Sequence, residues 1–192
     1  MKTLVFASNN LHKLNEIKAI LPKFRILGLK DIDINDDIPE TGSTLQENAY
    51  LKAKYLYDRT GETSLSEDTG LEVDQLMGAP GVHTARYAGD DRDAGKNMDK
   101  LLELLQGITD RSAQFRTVIC LISNEETKYF EGIVRGKIAF SKSGQMGFGY
   151  DPIFIPKNYE NTFADLDQSV KNNISHRAKA VMLLKKYIES TR

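Results

Sequence analysis

The side chains best suited to chemistry are three carboxylates carried on two turn-like stretches. Glu40 lies in Pro39-Glu40-Thr41-Gly42, and Glu67 and Asp68 open Glu67-Asp68-Thr69-Gly70, placed where a strand ends and a turn begins. A hard divalent ion such as Mg²⁺ prefers oxygen ligands and keeps several waters, so one or two carboxylates plus phosphate oxygens of a substrate complete its shell. A carboxylate with an ordinary pKa of about 4 is a weak base at neutral pH, but a metal ion acidifies a coordinated water enough for such a base to serve. The pattern predicts water attack at a Mg²⁺ site built from Glu40, Glu67 and Asp68. An acidic, hydrated loop surface is the competing reading, strongest for Glu40.

Phosphate could be received at the polar turn Ser8-Asn9-Asn10-Leu11-His12-Lys13, where backbone N–H groups and the positive end of a helix meet a mobile cation. The alternative is that Asn9 or Asn10 simply caps that helix and Lys13 is solvated. The glycines of a Walker A loop are missing. Asn48 and Lys52, four residues apart, share one helix face, although Lys52 taken alone reads as an ordinary solvent-facing lysine. In Gly147-Phe148-Gly149-Tyr150-Asp151-Pro152 the glycines permit close backbone approach, the aromatics offer stacking surfaces for a base, and Asp151 accepts hydrogen bonds. A plain glycine turn with two core aromatics explains the same residues. Lys171 and Ser175-His176-Arg177 would crowd cationic donors around a helix N-terminus capped by Ser175, an arrangement that an anion relieves and that surface charge near a cap also accounts for. Two chemistries are excluded, since His12, His83 and His176 have no H-E-x-x-H spacing and no G-x-S-x-G elbow is present.

These residues need a scaffold, and strands and helices interleave along the chain to supply one. Thr3 to Ala7 is β-prone and leads into a helix with Leu14, Ile17 and Leu21 on one side, stopped at Pro22. A strand near Phe24 to Leu27 precedes the acidic loop Asp31 to Glu40. Thr44-Leu45-Gln46-Glu47 is a capping box, opening a helix that reaches about Asp58, with Gly61 as its stop. A short strand near Thr63 to Ser66 runs into the acidic pair, and Gly78 to Gly81 is a tight loop. Met98, Leu101, Leu102 and Leu105 mark a helix over Asp93 to Leu105 closed by Gly107. Phe115 to Ile122 and Lys128 to Phe140 read as an antiparallel pair joined through Asn124-Glu125-Glu126. The glycine-rich loop Gly144 to Gly149 precedes the apolar segment Pro152 to Ile155, and a last helix covers Ser175 to Ile188. The class is α/β with a mixed sheet and no repeat or linker.

With 192 residues, 40% hydrophobic and 28% charged, the chain has the size of a single domain, residues 1–192, with enough apolar material for a core. A net charge of -1 predicts no broad nucleic-acid surface, and no membrane partner is expected. Met1 leads straight into the strand-like Lys2 to Ala7, which is too short for a signal peptide, so a cytoplasmic location is expected. Cys120, the lone cysteine, sits in the apolar run Val118 to Ile122 and is read as a core residue.

In order and spacing these stretches resemble the inosine triphosphate pyrophosphatase family, the Ham1-like non-canonical purine nucleoside triphosphatases. The resemblance spans nearly the whole chain, from Ser8-Asn9-Asn10 with Lys13, through Glu40 to Thr44, Glu47 to Ala49, Lys52 and Glu67 to Leu71. It continues over Gly78 to Gly81 and Ala85-Arg86-Tyr87 to Gly147 to Pro152 and Ser175-His176-Arg177. It implies an elongated mixed sheet flanked by helices, two lobes around a nucleotide cleft, and homodimers. It also implies Mg²⁺-dependent hydrolysis of ITP, dITP and XTP to the monophosphate and pyrophosphate. By the same resemblance, Ser8 to Lys13 hold the triphosphate, Asp68 accepts a proton and ligates metal, and Thr69 contacts substrate. Phe148 to Asp151, Lys171, His176 and Arg177 bind the nucleotide, the loop and the last two mainly at the base. The family often has Thr-Gly-Asn in place of Ser8-Asn9-Asn10 and Asp-Asp-Ser-Gly in place of Glu67-Asp68-Thr69-Gly70, which leaves direct ligation by Glu67 less secure than by Asp68. Two other functions use the same residues differently, a nucleotide-sensing module that does not cleave and a pyrophosphatase for modified pyrimidine nucleotides.

Overall fold

The computed structural model describes residues 3–36, 38–124 and 126–190. Lys2, Asp37 and Glu125 of the stretches read above lie outside them. Six strands form one mixed sheet in the order β2-β1-β3-β4-β5-β6, with β1 Thr3–Phe6, β2 Arg25–Gly28, β3 Ser64–Val73, β4 Ser112–Ile122, β5 Thr127–Ile138 and β6 Phe154–Pro156. β1 is parallel to both β2 and β3, in register Val5 to Leu27 and Val5 to Ser64, whereas β6 runs antiparallel to β5. The helices are α1 Leu11–Ile20, α2 Leu45–Thr60, α3 Ala94–Leu104, α4 Gln168–Ile174 and α5 His176–Ser190. None of them is long and apolar enough to cross a membrane.

The chain forms two compact units. The first runs up to Asp68 and adds Thr117–Gly132 and the segment from His176 onward; the second comprises Thr69–Arg116 and Ile133–Ser175. In the first, α1 and α5 contribute Leu14, Ile17, Leu21, Val181 and Leu184 to a core with Leu4, Phe6, Leu65 and Ile119 of the sheet. A smaller cluster of Val5, Ala7, Ile34, Ile38 and Leu56 packs α2 and the acidic loop against β1. The second unit is organised around Phe115, Phe154 and Phe163, with centroids 4.7 Å apart for the first pair and 5.4 Å for the last two, joined by Leu71, Leu101 and Ile153. Cys120 is fully buried, and burial pushes its thiol up to about 12, as a core residue requires.

Two expectations need correction. The strand expected to end near Ser66 continues as β3 to Val73, so Glu67 and Asp68 sit mid-strand. Polar residues in a strand interior look like a turn from sequence, but here they meet partners on both sides of the sheet. The final helix is likewise preceded by a separate one, α4, which ends at the extended residue Ser175 (φ −65°, ψ 159°) before α5 begins at His176. Only Lys171 of α4 is buried, so no apolar stripe announced it.

Candidate active site

Side chains alternate across a strand, so the neighbours Glu67 and Asp68 face opposite sides of β3. Glu67 shares a side with Leu65 and looks toward α1 and α5. Asp68 shares the other with Ser66, whose hydroxyl donates to the Ala49 carbonyl of α2. Two clusters of different character result within the first unit.

On the α2 side, Lys52 Nζ lies 2.6 Å from Glu40 Oε1 and 2.9 Å from Asp68 Oδ1. Asn48 Nδ2 donates to Asp68 Oδ2 at 3.3 Å, while Asn48 Oδ1 accepts the Gly42 N–H at 2.8 Å and so ties the Glu40 loop to the helix. A Cβ on Gly42 would come within 2.6 Å of Glu47 Cβ and 2.8 Å of Asn48 Oδ1, which is why this turn needs glycine. The predicted capping box is present, with Thr44 Oγ1 accepting Glu47 N–H at 3.1 Å and Glu47 Oε2 accepting Thr44 N–H at 3.3 Å. It fixes the start of α2 and with it the height of Asn48 and Lys52. Burial raises the Asp68 pKa; Lys52 opposes this shift and Glu40 adds to it. Burial also works against a charged Lys52, yet the flanking Asp68 and Glu40 carboxylates outweigh it and hold the ammonium above the ordinary lysine value. One cation shared by two carboxylates explains both directions.

On the α1/α5 side, Arg177 clasps Glu67 with Nε at 2.7 Å and Nη2 at 2.8 Å, and its Nη1 donates to Glu16 at 2.5 Å. Lys13 approaches Glu67 at 3.1 Å. The Glu67 and Arg177 side chains are essentially sealed from water, 0% and 1% exposed. Burial alone would raise the Glu67 pKa, but Arg177 and then Lys13 outweigh it and hold the carboxyl well below the usual range. The charge on Arg177 is secured in return.

Glu67 therefore leaves the expected metal set. Its oxygens are taken by a bidentate guanidinium and an ammonium, on the opposite side of β3 from Asp68. Among the described residues no group of three or more His, Cys, Asp or Glu is placed to share a metal ion. Glu40 and Asp68 remain as an all-oxygen pair, which fits an ion that takes one or two protein carboxylates and otherwise water and phosphate. Lys52 is buried rather than solvent-facing. It lies on the stripe Leu45, Ala49, Lys52, Ala53 and Leu56 that α2 turns inward, so the helical spacing already held that signal. Glu16 was missed in the same way, since it is buried beside Leu14 and Ile17 on α1.

At the first turn, Asn10 is the cap of α1. Its Oδ1 accepts from His12 N at 3.0 Å and Lys13 N at 3.3 Å, and Ser8 Oγ accepts from Asn10 N at 3.1 Å. Asn9 and Leu11 are exposed. The capping reading is realised, and the same geometry aims Lys13 at Glu67.

In the second unit the glycine loop is built around Asp151. Its Oδ2 accepts from Phe148 N and from Lys171 Nζ, each at 2.7 Å, and Lys171 Nζ lies 4.8 Å from the Phe148 ring centre. Gly147 (φ 80°) and Gly149 (φ 63°) supply the left-handed backbone this curl requires. Phe148 is half-buried, whereas Tyr150 is buried with its hydroxyl donating to Thr84 O at 3.0 Å. Tyr150 thus packs as core while Phe148 is only partly covered. Thr69 opens this unit and is half-buried, and His176 is buried at the start of α5.

The sequence profile of the Ham1 family matches residues 4–187, essentially all of the two units just described. The chain belongs to the Ham1 family. Ham1 relatives are close: one from Flavobacterium psychrophilum, named dITP/XTP pyrophosphatase, is 52% identical over 94% of this chain and 96% of its own. A dITP/XTP pyrophosphatase from Porphyromonas gingivalis is 50% identical over 98% of both. The Ham1 protein of Staphylococcus aureus superimposes with a TM-score of 0.91 at 43% identity, covering all of both chains. The α/β fold with a mixed six-stranded sheet is that of the Ham1 structures.

Proposed function

We propose that this Ham1 protein hydrolyses non-canonical purine nucleoside triphosphates, ITP, dITP and XTP, to the monophosphate and pyrophosphate, and so keeps them out of DNA and RNA. The observation that carries this reading is the arrangement of buried Lys52 and Asp68 with half-buried Glu40, in a chain half identical to proteins named dITP/XTP pyrophosphatase. A module that only bound nucleotides could use cations alone and would gain nothing from two carboxylates held beside them.

Glu40 and Asp68 would hold Mg²⁺. When bound, the ion supplies a Lewis acid at the phosphate oxygens and an acidified water. Asp68 orients the water toward the α-phosphorus and accepts its proton; the α–β anhydride bond breaks and pyrophosphate departs. Lys13 and Lys52 offset charge on the leaving group, the preorganised electrostatic help on which phosphoryl chemistry depends. We assign the triphosphate to Ser8 through Lys13, a substrate contact to Thr69, and the base to the Phe148 ring, with Gly149, Tyr150, Asp151 and Lys171 shaping its support. His176 and Arg177 are the proposed donors to the 6-oxo group that distinguishes these bases from adenine. A site built on such donors rejects a mispaired base strongly. Homodimers and a cytoplasmic location belong to the same proposal.

The test is an incubation with Mg²⁺ and a panel of ITP, dITP, XTP, GTP, ATP and modified pyrimidine triphosphates, with products identified. Monophosphate plus pyrophosphate from the 6-oxo purines is expected. Diphosphate plus phosphate, no product, or ATP turned over as fast as ITP contradicts the reading. Asp68→Asn should lower turnover by about 10³-fold or more with nucleotide affinity retained, and near-normal rates would remove Asp68 from its role.

A further inference from the structure

The ammonium of Lys52 stands where a cation bridging Glu40 and Asp68 would stand, 2.6 Å from one carboxylate and 2.9 Å from the other, on a side chain only 8% exposed. An ammonium and a divalent ion compete for the same lone pairs. The second Asp68 oxygen is also taken, by Asn48 Nδ2, and Asn48 is anchored in turn by the Gly42 N–H. Both Asp68 oxygens thus have protein partners, and Asn48 ties the Glu40 loop to α2.

The formal charges favour exchange only under one condition. Two carboxylates and one ammonium sum to −1, and exchanging the ammonium for a divalent ion brings the pair to 0 while freeing one tethered positive charge. Moving that charge from a buried double ion pair into water forfeits its interactions. Moving it onto a polyphosphate replaces them, and lysine suits the transfer because it is a compact charge on a flexible stem.

We propose that Lys52 is a tethered stand-in for the divalent ion. It closes the Glu40–Asp68 pair in the metal-free protein and passes to the phosphates of the nucleotide when metal and substrate arrive together. This rests on the function proposed above for the same pair. The free protein then holds metal weakly, and metal and triphosphate each strengthen the binding of the other, as linkage requires.

The test omits nucleotide. Mn²⁺ is titrated into purified wild-type and Lys52→Met proteins, with free Mn²⁺ followed by electron paramagnetic resonance. Lys52→Met should bind at least ten-fold more tightly, and adding Asp68→Asn should abolish the gain. Equal or weaker binding by Lys52→Met overturns the proposal. Lys52→Gln repeats the comparison should the methionine variant not fold. In the wild type, the ammonium resonance of Lys52 should be protected from solvent exchange without metal and lost on saturation with Mg²⁺; a signal unchanged with metal bound also overturns it. Hydrolysis of ITP combined with equal Mn²⁺ affinities defeats this inference alone. Tighter Mn²⁺ binding by Lys52→Met in a protein that cleaves no triphosphate defeats the proposed function and leaves the stand-in intact.

Discussion

Replacing Arg177 with methionine should be among the most destabilising single changes in the first unit. The guanidinium makes three charge-assisted hydrogen bonds, at 2.7, 2.8 and 2.5 Å, to two buried carboxylates. Its removal leaves Glu67 with Lys13 at 3.1 Å as compensation and deprives Glu16 of a 2.5 Å partner. Breaking a buried pair by deleting one partner costs about 3–5 kcal/mol. At roughly 2–4 °C per kcal/mol for a chain of this length, the melting temperature should fall by about 6–20 °C. The pH dependence gives a sharper check. In the wild type the Glu67 pKa is depressed, so its contribution is complete above the unfolded value of about 4.3 and is lost only as pH falls through the lower folded value. Without Arg177, burial is opposed by Lys13 alone, and the Glu67 pKa moves up. Protonation then relieves the variant earlier than the wild type, so the stability gap should narrow as pH drops from 7 toward 4. Urea denaturation at a series of pH values measures the gap. A loss below about 1 kcal/mol at pH 7, or a gap that widens in acid, would refute the argument.

The Asp68 pKa is raised by burial, so in metal-free protein its carboxyl carbon should titrate by NMR above the ordinary aspartate value of about 3.9; a midpoint at or below that value contradicts the geometry. Gly42→Ala should push Asn48 and Glu47 aside and lower ITP turnover about ten-fold or more at unchanged secondary structure, because the new methyl group displaces the loop that carries Glu40. Thr44→Ala removes the cap on α2 and should cost about 1 kcal/mol by chemical denaturation, with no effect if the helix start were fixed by packing alone. Lys171→Met should weaken nucleotide affinity more than it lowers kcat, since it withdraws support from the Asp151–Phe148 curl; a pure kcat effect would place Lys171 at the phosphates instead.

Features governed by local rules were legible in the sequence. Thr44 and Glu47 form the box that their spacing announces, Asn10 caps α1, and Gly61 stops α2 with φ 67°. Among the described residues the apolar periods located four of the five helices, and the β-prone runs located five of the six strands, although β3 runs on past Ser66 to Val73 and β6 read only as an apolar segment. What failed depended on partners distant along the chain. Glu67 meets Arg177 across 110 residues, and Arg177 meets Glu16 across 161, so nothing near Glu67-Asp68-Thr69-Gly70 could distinguish a buried strand from a turn. Lys52 is the intermediate case. Its inward-facing position was encoded by the spacing of Leu45, Ala49 and Leu56, but a lysine at such a position reads as solvated until its two carboxylates are seen.

The alternation along β3 makes word order matter at positions 67 and 68. Exchanging the two letters, to give aspartate then glutamate, would keep composition, net charge and local β tendency unchanged. Yet the longer acid, now at 68, would crowd the space that Lys52 and Asn48 enclose. A transposition that leaves every bulk property of the chain untouched would thus disturb the Lys52 cluster through a single added methylene.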